Sequence, residues 1–419
     1  MTNLERLIQE LCPSGVEYKK LGDVATISRG GNFQKKDFVE QGVPCIHYGQ
    51  IYTKYGLFVD STLTFISEEN AKKQKMAVKN DVIMAVTSEN IEDVCKSLAW
   101  LGDEDVAVSA HSAIIHHTLN PKYLVYYLHT EQFNFQKRKL AHGTKVIEVT
   151  PDRLNDVRLP VPPLEVQREI VNILDSFTLL TAELTAELTA RKKQYEYYRD
   201  TMLSVDTQIP IVKLKDIATE MYRGSGIKRD QVTSEGIPCV RYGEIYTTYN
   251  TWFEKCISHT KLEYVSSPKY FEHGDILFAI TGESVEDIAK SIAYIGHEKC
   301  LAGGDIVVMK HKQNPKYLSY VLSTYNARLQ KSKGKIKSKV VHSNVPSIEN
   351  IEIPLPPLEV QERFANVLDN FESICSNLNI GLPAEIELRN KQYEFYRDQL
   401  LTFAETGNTI LTDRQTDRA

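Results

Sequence analysis

The chain lacks several features that would place it in a common class of protein. It has no run of about eighteen apolar residues, so we expect no helix that spans a membrane. The opening segment, MTNLERLIQEL, has no basic stretch followed by an apolar one, so we expect no secretory signal. The seven cysteines are odd in number and contain no CxxC pair. This favours reduced thiols in the cytoplasm over a disulfide framework or a zinc site.

Motifs of nucleotide-dependent enzymes are missing too. No glycine-rich fingerprint follows a strand pattern, and there is no Walker phosphate loop. The eleven histidines form no metal-spaced cluster; we expect His116 and His117 to lie in a strand, with one of them facing outward. The segments 120–123 and 314–317 both read NPKY, which resembles the Asn-Pro-Pro-Tyr motif of adenine methyltransferases but lacks its second proline. We interpret each as the cap and first turn of a helix.

What the chain does contain is a long internal duplication. VPCIHYGQIYTKYGLF (43–58) returns as IPCVRYGEIYTTYNTWF (237–253), and LPVPPLEVQREIVNILD (159–175) returns as IPLPPLEVQERFANVLD (353–369). Val43 and Ile237 are 194 positions apart, far more than the period of a solenoid repeat. A whole domain and a connecting element are therefore duplicated. Two similar domains suit a partner that offers two related sites.

Each copy opens with about 150 residues of mixed character. DVIMAVT (81–87) and DILFAIT (275–281) predict buried strands, whereas NPKYLVYYLHTEQF (120–133) and NPKYLSYVLSTYNARL (314–329) predict amphipathic helices. Cys45 and Cys239 occupy equivalent places and are expected to be small core residues. The fold class is therefore α+β.

A proline-rich hinge and a long helical segment follow each domain. Apolar residues in the first copy recur at spacings of three, four and seven, which predicts one helix of roughly forty residues, about 60 Å long. They are Ile170, Ile173, Leu174, Phe177, Leu180, Leu184, Leu188, Tyr195, Tyr198 and Met202. Such a helix needs a partner along this stripe, and the second copy is the obvious candidate. That copy contains Gly381 and Pro383, which predict a kink or a split, with Pro383 opening a new helix.

The order of these elements resembles a known family. Domain, hinge with PPLExQ, long helix ending in RKKQYEYYRD (191–200), and then the same again with RNKQYEFYRD (389–398), is similar to the specificity subunit of type I restriction-modification systems. The resemblance covers nearly the whole chain. It implies two target-recognition domains held apart by two long antiparallel helices with pseudo-two-fold symmetry. The expected segments are residues 1–158, 159–204, 205–352 and 353–404, followed by a polar tail, 405–419.

The resemblance also implies a function and partners. Each recognition domain would read one half of a bipartite sequence in double-stranded DNA, and the helices would dock two methyltransferase subunits, which restriction subunits with motor and nuclease activity join. No cofactor is expected in this subunit. S-adenosylmethionine is expected in the methyltransferase, and ATP and magnesium in the restriction subunit. The subunit itself is expected to be non-catalytic, cytoplasmic and not bound to membranes.

A tandem repeat in the first long helix fits this family. TAELTAEL (181–188) contains the same four-residue unit twice. The resemblance to the family implies that this repeat is an adjustable spacer. Four residues lengthen a helix by about 6 Å, a little under two base-pair steps of about 3.4 Å. The alternative is that TAEL is simply good helix-forming sequence.

Net charge is −5, yet cations cluster locally, and two clusters are candidates for phosphate contact. Five lysines of segment 328–339 alternate with uncharged residues, so an extended conformation would place all of them on one side. The alternative is a solvated loop without a ligand. These lysines are Lys331, Lys333, Lys335, Lys337 and Lys339; the counterparts in the first domain are Lys137, Arg138, Lys139 and Lys145.

Base reading requires donors and acceptors on a well-held segment, and the repeated HYGQIYTKY and RYGEIYTTY segments share a frame while exchanging polar residues. Arg suits guanine, Gln adenine and Glu cytosine. The alternative is a buried aromatic turn. The candidates are His47, Tyr48, Gln50, Tyr52 and Lys54, then Arg241, Tyr242, Glu244, Tyr246 and Thr248, with Arg29, Lys35, Lys36, Arg223, Lys228 and Arg229 as secondary candidates.

Three further interpretations remain open at this stage. Four tyrosines near the helix ends are expected to pack the helices together and to supply part of the methyltransferase dock. They are Tyr195, Tyr198, Tyr393 and Tyr396.

A nuclease would need acids near a lysine, and one such set occurs in both copies. Glu89, Glu92, Asp93 and Lys96 recur as Glu283, Glu286, Asp287 and Lys290; helical salt pairing explains them more simply. The rival functions are a self-contained DNA methyltransferase or nuclease, and a structural scaffold that binds no DNA.

Overall fold

One arrangement of strands and helices occurs twice along the chain. The structure is a computed structural model that describes residues 2–204, 209–335, 340–376 and 382–403, without the side chains of residues 374–376. The described residues form two compact units, which divide between Glu183 and Leu184 and again between Ile386 and Glu387. Each unit therefore combines one recognition domain with parts of the long helices. The first division falls within the TAEL tandem.

The described residues of the first unit form fourteen strands, seven complete helices and the first part of an eighth. The strands are β1 (Tyr18–Lys20), β2 (Ala25–Arg29), β3 (Phe38–Val39), β4 (Val43–Ile46), β5 (Phe58–Val59), β6 (Thr64–Ile66), β7 (Lys75–Ala77), β8 (Val82–Ala85), β9 (Thr87–Ser88), β10 (Ser97–Trp100), β11 (Val106–Val108), β12 (Ser112–His117), β13 (Ile147–Glu148) and β14 (Arg158–Pro160). The helices are α1 (Asn3–Leu11), α2 (Leu21–Val24), α3 (Tyr48–Thr53), α4 (Glu68–Ala71), α5 (Pro121–Tyr127), α6 (Glu131–Leu140), α7 (Pro151–Leu154) and α8 (Leu164–Met202), which runs on into the second unit.

The second unit repeats this order. Its strands are β15 (Ile211–Lys213), β16 (Ala218–Arg223), β17 (Val232–Thr233), β18 (Ile237–Val240), β19 (Trp252–Phe253), β20 (Ser258–Thr260), β21 (Tyr270–Phe271), β22 (Ile276–Ala279), β23 (Thr281–Gly282), β24 (Ser291–Tyr294), β25 (Cys300–Ala302), β26 (Ile306–His311), β27 (Val341–His342) and β28 (Glu352–Pro354). Its helices are α9 (Leu214–Ile217), α10 (Tyr242–Thr247), α11 (Pro315–Ser323), α12 (Tyr325–Ser332), α13 (Val345–Glu349) and α14 (Leu358–Ser376); α15 (Leu382–Leu401) begins here and continues in the first unit.

Two five-stranded sheets build each recognition domain. Their orders are β2-β12-β8-β10-β5 and β3-β6-β4-β11-β7 in the first copy, and β16-β26-β22-β24-β19 and β17-β20-β18-β25-β21 in the second. Most neighbours are antiparallel, but β5 with β10 and β4 with β11 are parallel, as are their counterparts. Short two-stranded pairs, β1-β14 and β9-β13, complete the first domain. The strand order is thus duplicated as faithfully as the motifs.

The central strand of the first sheet is buried on both faces. Val82 and Met84 of β8 point into a core that includes α5 and the start of α8, whereas Ile83 and Ala85 point into the core between the two sheets. This alternation follows from the two-residue period of a strand. It explains why DVIMAVT has no polar face, and it confirms the prediction of buried strands at β8 and β22. Cys45 and Cys239 are fully buried, as expected.

The repeated motifs NPKY and PPLExQ are joined by hydrogen bonds in each unit. We call the polar cluster that contains them the clamp. In the first unit it consists of Asn120, Lys122 and Tyr126 with Gln167 and Asp175. Asn120 caps α5 and donates its backbone N–H to Gln167 Oε1 at 2.8 Å, while Gln167 donates its side-chain N–H to the Pro162 carbonyl at 2.7 Å. Lys122 Nζ and the Tyr126 hydroxyl lie 2.5 and 2.6 Å from the two oxygens of Asp175.

The second unit contains the same clamp with one more donor. Asn314 donates its backbone N–H to Gln361 at 3.0 Å, and Lys316 and Tyr320 lie 2.6 and 2.7 Å from the Asp369 carboxylate. Trp252, which replaces Phe58 of the first unit, donates its indole N–H to Asp369 at 2.8 Å. Each recognition domain is therefore fixed to the first turns of its long helix by buried and partly buried hydrogen bonds, so NPKY is a cap, as predicted.

The long helices largely agree with the prediction. α8 is a continuous helix of 39 residues. In its TAEL tandem, Leu184 and Leu188 are half-buried and the alanines and glutamates are exposed. The second copy is described as α14 and α15, with Pro383 in the first turn of α15. Gly381 and the polar tail lie outside the described residues.

Two local predictions are wrong. Residues 120–133 form parts of two helices. The extended backbone at Thr130 separates α5 from α6, and the Thr130 side chain caps α6. Glu89, Glu92, Asp93 and Lys96 lie in turns between β9 and β10, not in a helix, so helical salt pairing does not explain them. Lys96 instead donates to the Tyr52 carbonyl at 3.1 Å, and Lys290 donates to the Tyr249 carbonyl at 3.2 Å.

Two absences hold for the described part of the chain. None of its helices combines the length and the apolar character needed to cross a membrane. No group of three or more His, Cys, Asp or Glu side chains is arranged there to hold a metal ion. His116 and His117 do lie in β12, with His116 exposed, as predicted.

The clamp leads to a prediction about stability. Asp175→Ala removes the carboxylate that Lys122 and Tyr126 contact. Asp369→Ala removes the one that Lys316 and Trp252 contact, whereas Tyr320 keeps a hydrogen bond to Glu372 at 2.7 Å, so both variants lose stability to a similar extent. We expect about 1–3 kcal/mol for Asp175→Ala, the usual penalty for unpaired buried groups. Urea unfolding followed by circular dichroism measures this. Asp156→Ala is the control, because its pair with Lys20 is exposed and such pairs contribute about 0–1 kcal/mol. An equal loss in all three variants would contradict the clamp.

Candidate nucleic-acid interface

Three segments of the first recognition domain meet at one site: the end of β2, the start of α3 and the turn between β11 and β12. Gly30 and Gly31 donate to the carbonyls of Ser112 and Val108 at 2.9 and 2.7 Å. The Tyr48 N–H donates to the Ser109 hydroxyl at 2.8 Å. A Cβ on Gly30 would lie 2.2 Å from the Ser109 carbonyl oxygen, so only glycine permits this approach. This explains the repeated Arg-Gly pair.

Aromatic rings line this site. The ring centroids of His47 and Tyr48 are 4.6 Å apart, and those of Tyr48 and His111 are 4.9 Å apart. Burial, and then the charge of Lys35, lowers the pKa of His47 below its usual value. Its Nδ1 accepts a hydrogen bond from the Gly49 N–H, so His47 is neutral and caps α3. His47 is therefore held in place, whereas His111 is exposed.

Two candidates for base reading in the first copy are engaged in the fold. Gln50 accepts from the His47 N–H at 2.9 Å and its side-chain amide donates to the Thr64 hydroxyl at 3.2 Å. The Tyr52 hydroxyl donates to the carbonyl of Thr87 at 2.9 Å, and burial raises its pKa. For Tyr52 the buried aromatic turn is therefore the better interpretation. Tyr48 is half-buried and Lys54 is exposed.

The cations of the first site differ in exposure. Arg29 forms an ion pair with Glu148 of β13, which pairs with β9. Lys35 and Lys36 are exposed on a short 3-10 turn, and Lys145 is exposed in the loop before β13. The β2 end, the 35–36 turn and the loop before β13 thus carry four cations, and Glu148 neutralises one of them.

The second domain builds the same frame with other side chains. A Cβ on Gly224 would lie 2.2 Å from the Gly303 carbonyl oxygen, which reproduces the Gly30 approach. Arg223 donates to the Gly304 carbonyl and lies 2.5 Å from Asp305. Glu244 is buried and accepts from Arg241 at 3.1 Å and from the Ser258 hydroxyl at 2.8 Å.

Of the remaining candidates in this copy, the Tyr246 hydroxyl donates to the Ala279 carbonyl at 3.2 Å and so belongs to the fold. Tyr242 and Thr248 of the α10 segment are exposed, and so are Lys228 and Arg229 on a 3-10 turn. Glu244 is not available to read a cytosine in this arrangement, because its carboxylate is already paired.

The expected row of lysines is wrong for Lys331. This residue lies in the last turn of α12, is only 5% exposed and donates to the Ser291 hydroxyl and the Leu322 carbonyl at 3.0 and 2.8 Å. Burial lowers its pKa to about 7. Lys333 and Lys335 follow the helix; Lys337 and Lys339 lie outside the described residues.

Its counterpart Lys137 is also buried. Lys137 Nζ donates to the carbonyls of Glu92 and Val94 at 2.6 and 3.0 Å, and burial lowers its pKa. We therefore withdraw Lys137 and Lys331 as DNA contacts. Lysines at every second position fit an extended row, but they fit equally well the end of a helix at which the first lysine is buried. Arg138 and Lys139 on the same helix are exposed, so they remain candidates.

Two residues at the site are not marked by the motifs: His111 and Asp305. They occupy the same place in the β11–β12 and β25–β26 turns. A comparison of the two copies at a separation of 194 positions would have paired them, but neither lies in a segment whose sequence is repeated.

The tyrosines near the helix ends do pack helices together within each unit. Tyr396 of α15 stacks on Phe177 of α8, with ring centroids 5.4 Å apart and planes at 26°. Tyr198 of α8 stacks on Phe371 of α14 at 6.3 Å, also at 26°. Tyr393 and Tyr195 pack against the helix-side cores of the first and second recognition domains. Tyr396 and Tyr198 therefore pack one long helix against another, whereas Tyr393 and Tyr195 pack a long helix against a recognition domain.

Comparison with known proteins agrees with this duplicated architecture. A family model described as the type I restriction modification DNA specificity domain matches residues 13–191 and again 209–388. A Haemophilus influenzae protein, assigned as a type I restriction enzyme specificity subunit, is 30% identical over 296 residues, which are 68% of this chain and 73% of that protein. The specificity subunit of an Escherichia coli type I restriction enzyme is 31% identical over 294 residues, covering 67% and 70% of the two chains.

A solved structure from work on complex assembly and conformational transition of the type I restriction-modification system has the same fold. Its TM-score is 0.63 at 17% sequence identity, and the match covers 93% of this chain and 98% of that one. The chain belongs to the family of type I restriction-modification DNA specificity domains, of which it contains two copies. It is accordingly a non-catalytic specificity subunit with a role in DNA sequence specificity.

The buried Lys331 predicts a pH dependence of stability. Its pKa is about 7 in the folded chain and about 10.4 when unfolded. Between these values the unfolded state binds the extra proton, so stability rises with pH in that window. The free energy of unfolding of the wild type should therefore increase relative to Lys331→Met between pH 7 and pH 9. Exposed Lys333→Met is the control and should show no such trend. Parallel curves for wild type and Lys331→Met would contradict the burial of this amine.

Proposed function

We propose that this chain binds a bipartite sequence in double-stranded DNA, with each recognition domain contacting one half-site. The observation that carries the proposal is that one frame is built twice with different side chains. Arg29–Gly30 and Arg223–Gly224 make the same close approach to a turn. The neighbouring positions carry His47 and His111 in one copy, and Arg241 and Asp305 in the other. A shared frame with exchanged donors and acceptors suits two readers of different sequences.

Exposed cations supply the proposed phosphate contacts. In the first domain they are Lys35, Lys36, Lys54, Arg138, Lys139 and Lys145, and in the second they are Lys228, Arg229 and Lys333. Phosphate contacts give affinity without sequence information, and affinity that depends on them falls as salt rises. The net charge of −5 leaves the rest of the surface suited to protein partners.

The gap between half-sites is proposed to depend on α8. Each domain is fixed to its long helix by a clamp, so a change in helix length is passed on to the domain and not absorbed at the hinge. The TAEL tandem is continuous helix, and its repeated unit adds length without changing the exposed pattern. Four residues extend a helix by about 6 Å.

Insertion of one further TAEL after Leu188 tests the spacing proposal. We expect the number of unspecified bases in the methylated site to increase while both half-sites stay the same. Methylome sequencing of cells that express the variant with its methyltransferase measures this. Glu187→Gln, which keeps the helix length and removes an exposed pair with Arg191, is the matched control. Altered half-sites with an unchanged gap would refute the proposal.

Two equivalent aromatic patches are proposed to dock two methyltransferase subunits, which restriction subunits then join. In the second unit the patch is Tyr197 with the stacked pair Tyr198 and Phe371; in the first it is Phe395 with Tyr396 and Phe177. Tyr197 is 67% exposed and Phe395 is 48% exposed, although both are large and aromatic. Aromatic residues on a rigid helix are frequent anchors of protein interfaces. The methyltransferase would bring S-adenosylmethionine, and the restriction subunit ATP and magnesium.

Truncation of either anchor should remove one partner copy. Tyr197→Ala and Phe395→Ala are each expected to weaken one dock by about 2 kcal/mol, the range of an interface hot spot. Native mass spectrometry should then show complexes with one methyltransferase instead of two, while DNA affinity of the isolated chain is retained. Ile257→Ala, an exposed apolar residue of the second recognition domain, is the control. Full occupancy of both docks in both variants would rule out these patches.

A further inference from the structure

The turns between β11 and β12 and between β25 and β26 differ in a way that bears on sequence selectivity. Both follow a strand that lies parallel to the strand before the α3 or α10 segment, so each turn is beside the start of that helix. Their backbones are held alike: Ser109 N–H donates to the Ile46 carbonyl at 3.2 Å, and Gly303 N–H donates to the Val240 carbonyl at 2.8 Å. The two turns present different side chains, His111 and Asp305.

The His111 ring is held by packing, and its nitrogen atoms form no hydrogen bond with the described residues. It is exposed and packs on Tyr48, with centroids 4.9 Å apart. Neither of its ring nitrogens has a hydrogen-bond partner among the described residues. The other histidines of this unit's β12 and α5 regions are bonded: His116 to Asp81, His117 to the Leu119 N–H and His129 to the Val125 carbonyl. His111 therefore presents a donor and an acceptor outward from a fixed position.

Asp305 is a carboxylate fixed by an arginine. Arg223 lies 2.5 Å from its Oδ1, and this arginine also donates to the neighbouring Gly304 carbonyl. The side chain of Asp305 retains 35% exposure and that of Arg223 retains 61%. A held carboxylate beside a held guanidinium offers an acceptor and a set of donors next to each other. In the first domain Arg29 pairs instead with Glu148, which leaves position 111 without a charged partner.

We propose that residues 111 and 305 are specificity-determining contacts to base edges, one in each half-site; this inference rests on the proposed function. A histidine ring N–H donates to an acceptor such as guanine N7 or O6 in the major groove. A carboxylate accepts from an exocyclic amino group, such as that of cytosine. The difference between the two half-sites thus includes one position at which the first domain offers a histidine and the second an aspartate.

The sequence of the site is the readout, because a residue with a purely structural role would change the amount of methylation but not the recognised bases. The full chain is expressed with its methyltransferase in cells without endogenous methylation, and N6-methyladenine is mapped across the genome. Four variants are compared with the wild type: His111→Ala, His111→Gln, Asp305→Asn and the control Lys79→Ala. Lys79 pairs with Asp103 on an exposed surface of the first domain, away from the three segments of the site.

We expect each substitution at position 111 or 305 to change one position in one half-site. His111→Ala should relax a single base preference in one half-site by roughly tenfold or more, the usual size of a lost base contact. Asp305→Asn replaces one of the two acceptor oxygens by an amide donor and removes the negative charge, so it should relax or shift a single position in the other half-site. His111→Gln, which keeps a donor and an acceptor, should retain more selectivity than His111→Ala. Lys79→Ala should leave the motif unchanged.

The outcomes separate this inference from the function on which it rests. A wild type that yields no bipartite motif would overturn the proposed function and this inference with it. A bipartite wild-type motif that stays identical in His111→Ala and Asp305→Asn would overturn this inference alone. If His111→Ala abolishes methylation, the His111→Gln motif decides: a change confined to one position supports the inference, and an unchanged motif counts against it.

Discussion

The clamp between NPKY and PPLExQ is the interaction on which the rest of the structure depends. Through it, a helix cap, a glutamine at the start of the long helix and an aspartate about two turns further along fix each recognition domain to its helix. Gln167 and Gln361 are almost fully buried, and both of their polar groups are bonded, so neither can shift without leaving a buried group unpaired. Apolar packing of Val166, Ile170 and Leu174 surrounds the first clamp. A domain held in this way moves with its helix.

Duplication allows one architecture to hold two different surfaces. The strand order, the two clamps and the glycine approaches at Gly30 and Gly224 are shared, and these are buried features with strict steric or hydrogen-bonding requirements. The exposed positions around α3 and α10 differ. Buried positions are restricted by packing and exposed positions are not, so two copies of a frame can diverge in what they contact while they keep the same fold.

Sequence patterns predicted the elements whose signals are local. The 39-residue α8 followed from its apolar spacing, β8 and β22 from short apolar runs, and the caps of α5 and α11 from Asn-Pro. Patterns failed where a side chain's environment is set by distant residues. The alternating lysines indicated an extended row, yet Lys331 reaches a hydroxyl and a carbonyl on other elements. Glu244 looked like an acceptor for a base until its pairing with Arg241 and Ser258 was visible. His111 and Asp305 could be recognised only after the turns that carry them were located.

The most direct test of the account is the range of gap lengths that the assembled complex accepts. A DNA library in which the two half-sites are separated by every gap from none to twelve bases can be methylated in vitro by the complex and sequenced. If both recognition domains are fixed to their helices, methylation will be confined to one gap length and will fall steeply at one base more or less. Comparable methylation over several adjacent gap lengths would mean that the domains turn freely on their hinges, and it would contradict the account.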